Sequence, residues 1–342
     1  MRMWFDVSSP PHVHLTKKII DEFGEGNEVL ITTRDFYDLT SLLESSGLDY
    51  VSVGKHADSK TGKFFSGLER TKELIKTISR WKPDVGLGKH STEGPIVSRL
   101  LGLDFLLMMD HEPAPQNLFM LPFSREVLVS GGVDRRRLRK FLPGEIRGFE
   151  SVYEYAYCRD HEPDPGVLDE LGLKEKDEIV VARTEPHLSG HSEVGSLLPE
   201  LLKTLVKRGS EVVLIPRNRK EEDYFSSRLG ITVPHEPVNL LDLYGFSDLV
   251  VSAGSTMNRE ACISGCPALS ICRDELPGPD HFLLEREMMF HETEPERARE
   301  RMEDILDDSS RYRDDLEKKV SGLEDPLLKI GDWIGEKTKK PS

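Results

Sequence analysis

No run of about 18 apolar residues occurs in the 342-residue chain, so nothing in it reads as a membrane-spanning helix. Cysteine is scarce as well. Cys158, Cys262, Cys266 and Cys272 are all there are, and three of them crowd into one short segment, which rules out a secreted disulfide framework. Cys262 and Cys266 share a helix face, but no His or Cys pair elsewhere has companion spacing, so they read as small buried hydrophobes rather than metal ligands. Positive charge is in deficit, 46 Lys and Arg against 61 Asp and Glu, for a net charge of -15. A surface of that sign excludes nonspecific binding to nucleic acid. The opening Met1-Arg-Met-Trp-Phe-Asp-Val7 runs straight into a strand pattern without an apolar signal core and cleavage site, and the chain reads as cytoplasmic.

What is present is a globular balance, 37% apolar and 31% charged residues, in a length that suits two domains. Short apolar runs alternate with helical patterns, the signature of βαβ units in parallel sheets. In the first half, strands are expected at 3–7, 28–32, 50–53, 83–87, 105–109 and 126–129, with helices at 14–23, 36–46, 68–81 and 94–101 between them. The pattern lapses around 157–176, where His161-Glu-Pro-Asp-Pro-Gly166 supplies turn residues, and it restarts with strands at 178–182, 211–215, 248–252 and 268–271 and helices at 197–208 and 240–244. The organisation expected is therefore a first domain over 1–158, a link over 159–177, a second domain over 178–310 and a helical tail over 311–342. Helical spacing after Pro295 persists through Ala298, Met302, Ile305 and Leu306.

Ligands of such sheets bind outside the carboxyl ends of the strands, so the strand-to-helix loops are where function is expected. Val251-Ser-Ala-Gly-Ser-Thr-Met-Asn-Arg-Glu-Ala261 is the most informative. Gly254 permits close approach, the free amides at Ser255 and Thr256 attract a phosphate, and Glu260 can accept ribose hydroxyls; a plain capped turn is the alternative. In Ala182-Arg-Thr-Glu-Pro-His187, Arg183 either neutralises a diphosphate or forms a surface ion pair. Ser8-Ser-Pro-Pro-His-Val-His14 places His12 and His14 at a helix start, where the dipole favours a neutral imidazole, and Asp6 either orients that imidazole or caps the loop. Met109-Asp-His-Glu-Pro-Ala-Pro-Gln-Asn117 packs Asp110, His111 and Glu112 into a dense polar cluster, and Lys89-His-Ser-Thr-Glu-Gly94 offers an anion-facing helix start. Finally, Asp134-Arg-Arg-Arg-Leu-Arg-Lys140 follows the apolar Phe119-Met-Leu-Pro-Phe123. It is either a solvated helix face or a contact for an anionic membrane or a lipid-linked phosphate.

On these residues the chain resembles the glycosyltransferase-B superfamily, which implies an α/β fold of two Rossmann-like, doubly wound domains facing a cleft. The start Trp4-Phe-Asp-Val-Ser-Ser-Pro-Pro-His-Val-His14 resembles that of a largely archaeal family of unknown function. Among enzymes, the chain is similar to the N-acetylglucosaminyltransferase that makes the lipid-linked peptidoglycan precursor, and more distantly to the non-hydrolysing UDP-N-acetylglucosamine 2-epimerases. Ala253-Gly-Ser-Thr-Met-Asn-Arg-Glu-Ala-Cys-Ile-Ser-Gly-Cys-Pro-Ala268 carries most of the likeness. The resemblance implies that Glu260 holds ribose, that Gly254, Ser255, Thr256 and Arg183 meet the diphosphate, and that Asp280 and His281 lie beside the sugar. It implies His12, Asp110 or Glu112 as the base, no cofactor besides the nucleotide-sugar, no metal, and an acceptor that is lipid-linked if the basic segment meets a membrane. Pro10 and Pro11 stand where the transferase has glycines, which leaves the acceptor open. Transfer from a UDP-sugar is the expected activity; 2-epimerisation and noncatalytic nucleotide-sugar binding are the alternatives.

Overall fold

Strands buried on both faces should read as unbroken apolar runs, and the chain builds its sheets from such runs. The computed structural model describes residues 1–35, 37–55, 60–112, 114–184, 197–226 and 230–338. They divide into two units, Met1–Ala156 with Glu324–Ser342, and Tyr157–Leu323.

The first unit carries β1 (Arg2–Val7), α1 (His12–Phe23), β2 (Glu28–Asp35), α2 (Tyr37–Ser45), β3 (Val51–Lys55), α3 (Lys60–Trp81), β4 (Val85–Lys89), α4 (Gly94–Leu101), β5 (Asp104–Met109) and α5 (Asn117–Met120). A 3-10 turn (Leu121–Phe123), β6 (Glu126–Val129), α6 (Arg135–Arg139) and β7 (Glu145–Gly148) follow, and α7 (Tyr155–Cys158) spans the boundary. Its sheet is parallel throughout, ordered β3-β2-β1-β4-β5-β6-β7. The order reverses between β1 and β4. Trp4 of β1 stands edge-on to Phe105 of β5 with ring centroids 5.4 Å apart, and between them Gly86 of β4 has no room for a side chain, since a Cβ would lie 2.5 Å from Phe105.

The second unit carries α8 (Gly166–Leu171), β8 (Ile179–Arg183), α9 (Leu198–Arg208), β9 (Glu211–Ile215), α10 (Arg219–Ser226), β10 (Ile231–Thr232), α11 (Leu240–Phe246), β11 (Leu249–Ser252), α12 (Ser255–Ile263), β12 (Ala268–Ser270), α13 (Gly278–Glu285), β13 (Phe290–His291), α14 (Pro295–Asp307) and α15 (Ser309–Val320). Its sheet is also parallel, ordered β10-β9-β8-β11-β12-β13, and reverses between β8 and β11. The spacing after Pro295 does what it predicts: α14 buries Ala298, Met302, Ile305 and Leu306. Cys262 and Cys266 are packed in the interior as small hydrophobes; burial pushes both thiols up, that of Cys266 to about 12.

Two stretches are placed by tertiary contacts that sequence does not announce. The segment expected as a link is part of the second unit, where the His161 imidazole meets the Asp242 carboxylate at 2.6 Å and the Asp164 amide donates to the same oxygen. The chain's last helix, α16 (Pro326–Thr338), packs on the first unit through the fully buried Trp333, whose Nε1 donates to Glu126 at 2.8 Å.

Beneath the β1/β4 reversal lies a buried polar network. The Arg70 guanidinium, fully out of solvent, meets Asp6 at 2.6 Å and Glu93 at 2.9 Å; Asp6 also accepts from Ser91 at 2.5 Å and Thr32 at 2.8 Å. Burial alone would raise the Asp6 carboxyl, but the Arg70 charge and these hydrogen bonds outweigh it and hold it below its ordinary value. Replacing Arg70 with Met should therefore lower unfolding free energy by about 3–5 kcal/mol, because Asp6 stays buried without its cation and Glu93 keeps only Arg34; urea denaturation followed by circular dichroism measures it.

Candidate functional site

In an open parallel sheet the loops on either side of an order reversal diverge, and ligands settle in the gap they leave. Each unit has one such point, so the site residues are best taken unit by unit.

At the β1/β4 reversal, the turn Ser8–Pro11 leads into α1, with the His12 amide donating to Ser9 O at 3.0 Å. His12, the first residue of α1, is buried, and its ring lies over that of His90 with centroids 6.2 Å apart. Asp110, at the end of β5, holds Lys89 Nζ at 2.6 Å on one oxygen and His90 Nε2 at 2.7 Å on the other. Lys89 also lies 3.7 Å from Glu154 and 5.1 Å from the Tyr153 ring centre. His90 adopts φ 47°, a left-handed backbone that costs a non-glycine residue about 1–3 kcal/mol and is characteristically retained at functional positions. Burial first, then Lys89 and His90, push the His12 imidazole well below its ordinary 6.5, so it is a neutral proton acceptor at pH 7; its Nδ1 has no partner among the described residues.

Sequence reasoning named His12, Asp110 or Glu112 as the base, and the first two stand at this reversal; two of its other expectations need correction. Asp6 does not orient an imidazole; its oxygens belong to Arg70, Ser91 and Thr32, and the carboxylate beside an imidazole is Asp110. The start of α4 is not open to an anion either, because Ser91 Oγ caps the Gly94 amide at 2.9 Å and Glu93, paired with Arg70 and Arg34, occupies the N-cap position. Glu112 accepts from the Asp134 amide at 3.1 Å, and Asn117 pins the loop through His111 O and Glu112 O. His14 is half-buried two residues along α1 from His12.

At the β8/β11 reversal, Arg183 ends β8 directly opposite Ser252 of β11 and Ile215 of β9. Gly254 is the N-cap of α12 and offers no side-chain cap, which leaves the first amides of the helix, at Ser255 and Thr256, for another acceptor. Its φ of -99° is ordinary; a Cβ there would stand a tight 3.2 Å from Ser252 Oγ and in ordinary contact, 3.6 Å, with Arg217 Nη2. Arg217, just past β9, is the residue sequence reasoning missed. Its Nε donates to Thr184 O at 2.7 Å and aims the guanidinium toward α12, while Glu221 takes bonds from Thr184, Asn218 and the Arg217 amide. Burial first, then the neighbouring Arg183 charge, lower the Arg217 guanidinium from its usual value. Neither arginine forms an ion pair among the described residues, and Arg183 Nε is buried without a partner. Two cations side by side at an uncapped helix start make a site for a dianion.

Glu260, about one and a half turns into α12, is nearly buried and accepts from the Tyr157 hydroxyl at 2.9 Å. Tyr244 is buried beside it, and burial, then the Glu260 charge, keep its phenol protonated. Asp280 is fully buried and pairs with Arg259 at 2.9 Å, tying α13 to α12, while His281 next to it is exposed. Glu185, Pro186 and His187 of the Arg183 loop, and Pro113 of the Asp110 loop, lie outside the described residues.

A family model for proteins of unknown function, DUF354, matches residues 1–339. The chain belongs to the DUF354 family. It is similar to uncharacterized protein MJ0665 of Methanocaldococcus jannaschii, 32% identical over 337 residues that cover 95% of each chain. Among solved structures it is similar to a UDP-GlcNAc 2-epimerase from Neisseria meningitidis bound to UDP-GlcNAc (TM-score 0.73, 13% identity, 98% of this chain and 100% of that one). It is likewise similar to the spinosyn forosaminyltransferase SpnP (TM-score 0.71, 15%, 99% and 100%) and to MurG of Acinetobacter baumannii (TM-score 0.60, 14%, 98% and 100%). At such identities the shared property is the fold, and this DUF354 protein has the glycosyltransferase-B fold.

The His12 environment gives a measurable pH signature. The unfolded chain takes up a proton near the ordinary 6.5 that the folded His12 resists, so stability is full above that pH and falls as pH drops through it. Urea midpoints at roughly pH 7.5 and pH 5.5 should differ less in a His12→Gln variant than in the parent.

Proposed function

We propose that this protein binds a UDP-sugar on its second unit and transfers the sugar to an acceptor hydroxyl. The observation that carries the reading is a pair of neighbouring guanidiniums, Arg183 and Arg217, with no ion pair among the described residues, Arg217 Nη2 lying at the uncapped start of α12. In this reading the diphosphate lies against both arginines and the amides at Ser255 and Thr256, and Glu260 takes the ribose hydroxyls from a carboxylate already held by Tyr157. The fold it shares with a transferase and with an epimerase bound to UDP-GlcNAc supports the choice of ligand.

The chemistry follows from charge. The acceptor oxygen forms its bond to the sugar's anomeric carbon as the bond from that carbon to the diphosphate breaks, and UDP leaves with the electron pair. Arg183 and Arg217 hold the charge that grows on it. The acceptor's proton goes to a general base; on the first unit His12, neutral at working pH, can take a proton, and Asp110, with Lys89 and His90 on its two oxygens, fixes the stacked His90 ring beside it. Asp280, already paired with Arg259, supports α13 in this scheme, and His281 stays with the sugar.

Titration calorimetry should detect UDP binding that survives EDTA and weakens roughly 10- to 100-fold in Arg183→Ala and in Arg217→Ala, the cost of losing a charge-assisted hydrogen bond. Absence of UDP binding in the parent would overturn the reading. A 2-epimerase is the second reading, favoured by the likeness to the Neisseria enzyme. Incubating UDP-N-acetylglucosamine with the protein in heavy water separates the two: deuterium appears at C2 of the sugar for an epimerase and does not for a transferase lacking acceptor.

A further inference from the structure

The first unit carries, on one face, a feature that neither site uses. The strands β4, β5, β6 and β7 are neighbours in sequence order, and right-handed crossovers put α4, then α5 with its 3-10 turn, then α6 side by side on the same face of the sheet. Their inward residues share one core cluster: Val97 from α4, Met120 and Leu121 from α5 and the turn, Leu138 from α6 and Leu142 just after it. Their outward residues are where the composition is unusual. Leu100 on α4, Leu118 and Phe119 on α5, Phe123 in the turn and Phe141 after α6 are between 41% and 64% exposed. Five large apolar side chains on adjoining elements exceed the scatter expected of a soluble surface.

Charge completes the surface. Arg135, Arg136, Arg137, Arg139 and Lys140, around the outer part of α6, are all exposed, in a chain whose net charge is -15. The only carboxylate in α6's first turn, Asp134, caps the helix through the Arg136 and Arg137 amides. No ion pair involves Arg135, Arg136, Arg139 or Lys140 among the described residues. No helix among those residues is long and apolar enough to cross a membrane.

We infer that this face docks on an anionic lipid bilayer, with Phe119, Leu118 and Phe123 entering the interface and the α6 cations meeting lipid phosphates. A partner protein of acidic surface would answer the charges alone, and an apolar one the rings alone; a membrane interface offers both, with anionic headgroups outside and hydrocarbon just below. The inference goes beyond nucleotide-sugar binding and stands apart from it, since it uses none of the residues assigned to either site.

Flotation of the full chain with two vesicle types tests it: phosphatidylcholine alone, and phosphatidylcholine mixed with phosphatidylglycerol. The chain should float with the mixed vesicles only and be released as salt rises. Changing Arg136, Arg139 and Lys140 together to Ala should lower partitioning by about fivefold for each charge removed. Phe119→Ser should lower it with every charge in place. These side chains are exposed, so melting temperature and UDP titration should stay as in the parent, which separates loss of docking from loss of the fold or of the nucleotide site. Equal flotation with both vesicle types, or flotation that survives both sets of changes, overturns the inference. So does self-association that Phe119→Ser abolishes without any vesicle binding, which would make the face a contact between copies of the chain.

Discussion

Parallel strands cannot be joined by tight turns; each is reached by a crossover, so all carboxyl ends of a sheet fall on one edge. That constraint decides where chemistry can sit in this chain. At an interior position of either sheet, neighbouring loops crowd the edge, whereas at β1/β4 and at β8/β11 they leave in opposite directions and open a gap. His12, Lys89, His90 and Asp110 stand at the first gap, and Arg183, Ser252 and Gly254 stand at the second, with Arg217 just past the neighbouring strand β9. The fold supplies two such edges, and the side chains give them different work.

The difference lies in how charge is answered. In the first unit every buried charge at the gap has a counter-charge: Lys89 meets Asp110, and Arg70 meets Asp6 and Glu93. A balanced cluster of this kind fixes rings and controls a proton on His12, but it has no surplus with which to draw an ion. The second unit is the reverse. Arg183 and Arg217 stand together without an ion pair among the described residues, each raising the cost of the other, beside helix amides that carry no side-chain cap. Two guanidiniums in that state disfavour each other and favour an anion that relieves them, whereas the balanced cluster of the first unit leaves His12 a neutral proton acceptor.

Much of this was legible in the residues. β1, β4, β5, β8, β9 and β11 are central strands, buried on both faces, and such strands announce themselves as apolar runs. β7, β10 and β13 were not legible, because edge strands need no apolar run: Glu145-Ile-Arg-Gly148 is half polar, and the other two are two residues long. Gly254 and Glu260 could be read because their roles are local to one helix. Arg217 could not, since its importance comes from β9 lying against β8, a pairing across 32 residues of chain between Ala182 and Leu214. The start of α4 misled for the same reason. Lys89-His-Ser-Thr-Glu-Gly94 reads as an open helix terminus until Arg70, on a helix before β4, brings Glu93 and Asp6 into one network.

The net charge of -15 at first argues against any anionic ligand, and the resolution is a matter of range. At physiological ionic strength charges on the surface are screened beyond about 8 Å, so acidic residues farther than that from Arg183 and Arg217 would act little on an anion bound there. They do disfavour an extended polyanion, which needs cations along its whole length, where Asp and Glu outnumber Lys and Arg 61 to 46. A compact dianion needs only the few groups within a screening length. An acidic surface of this kind therefore filters anions by size, and in the proposed reading a diphosphate would pass where a nucleic acid backbone would not.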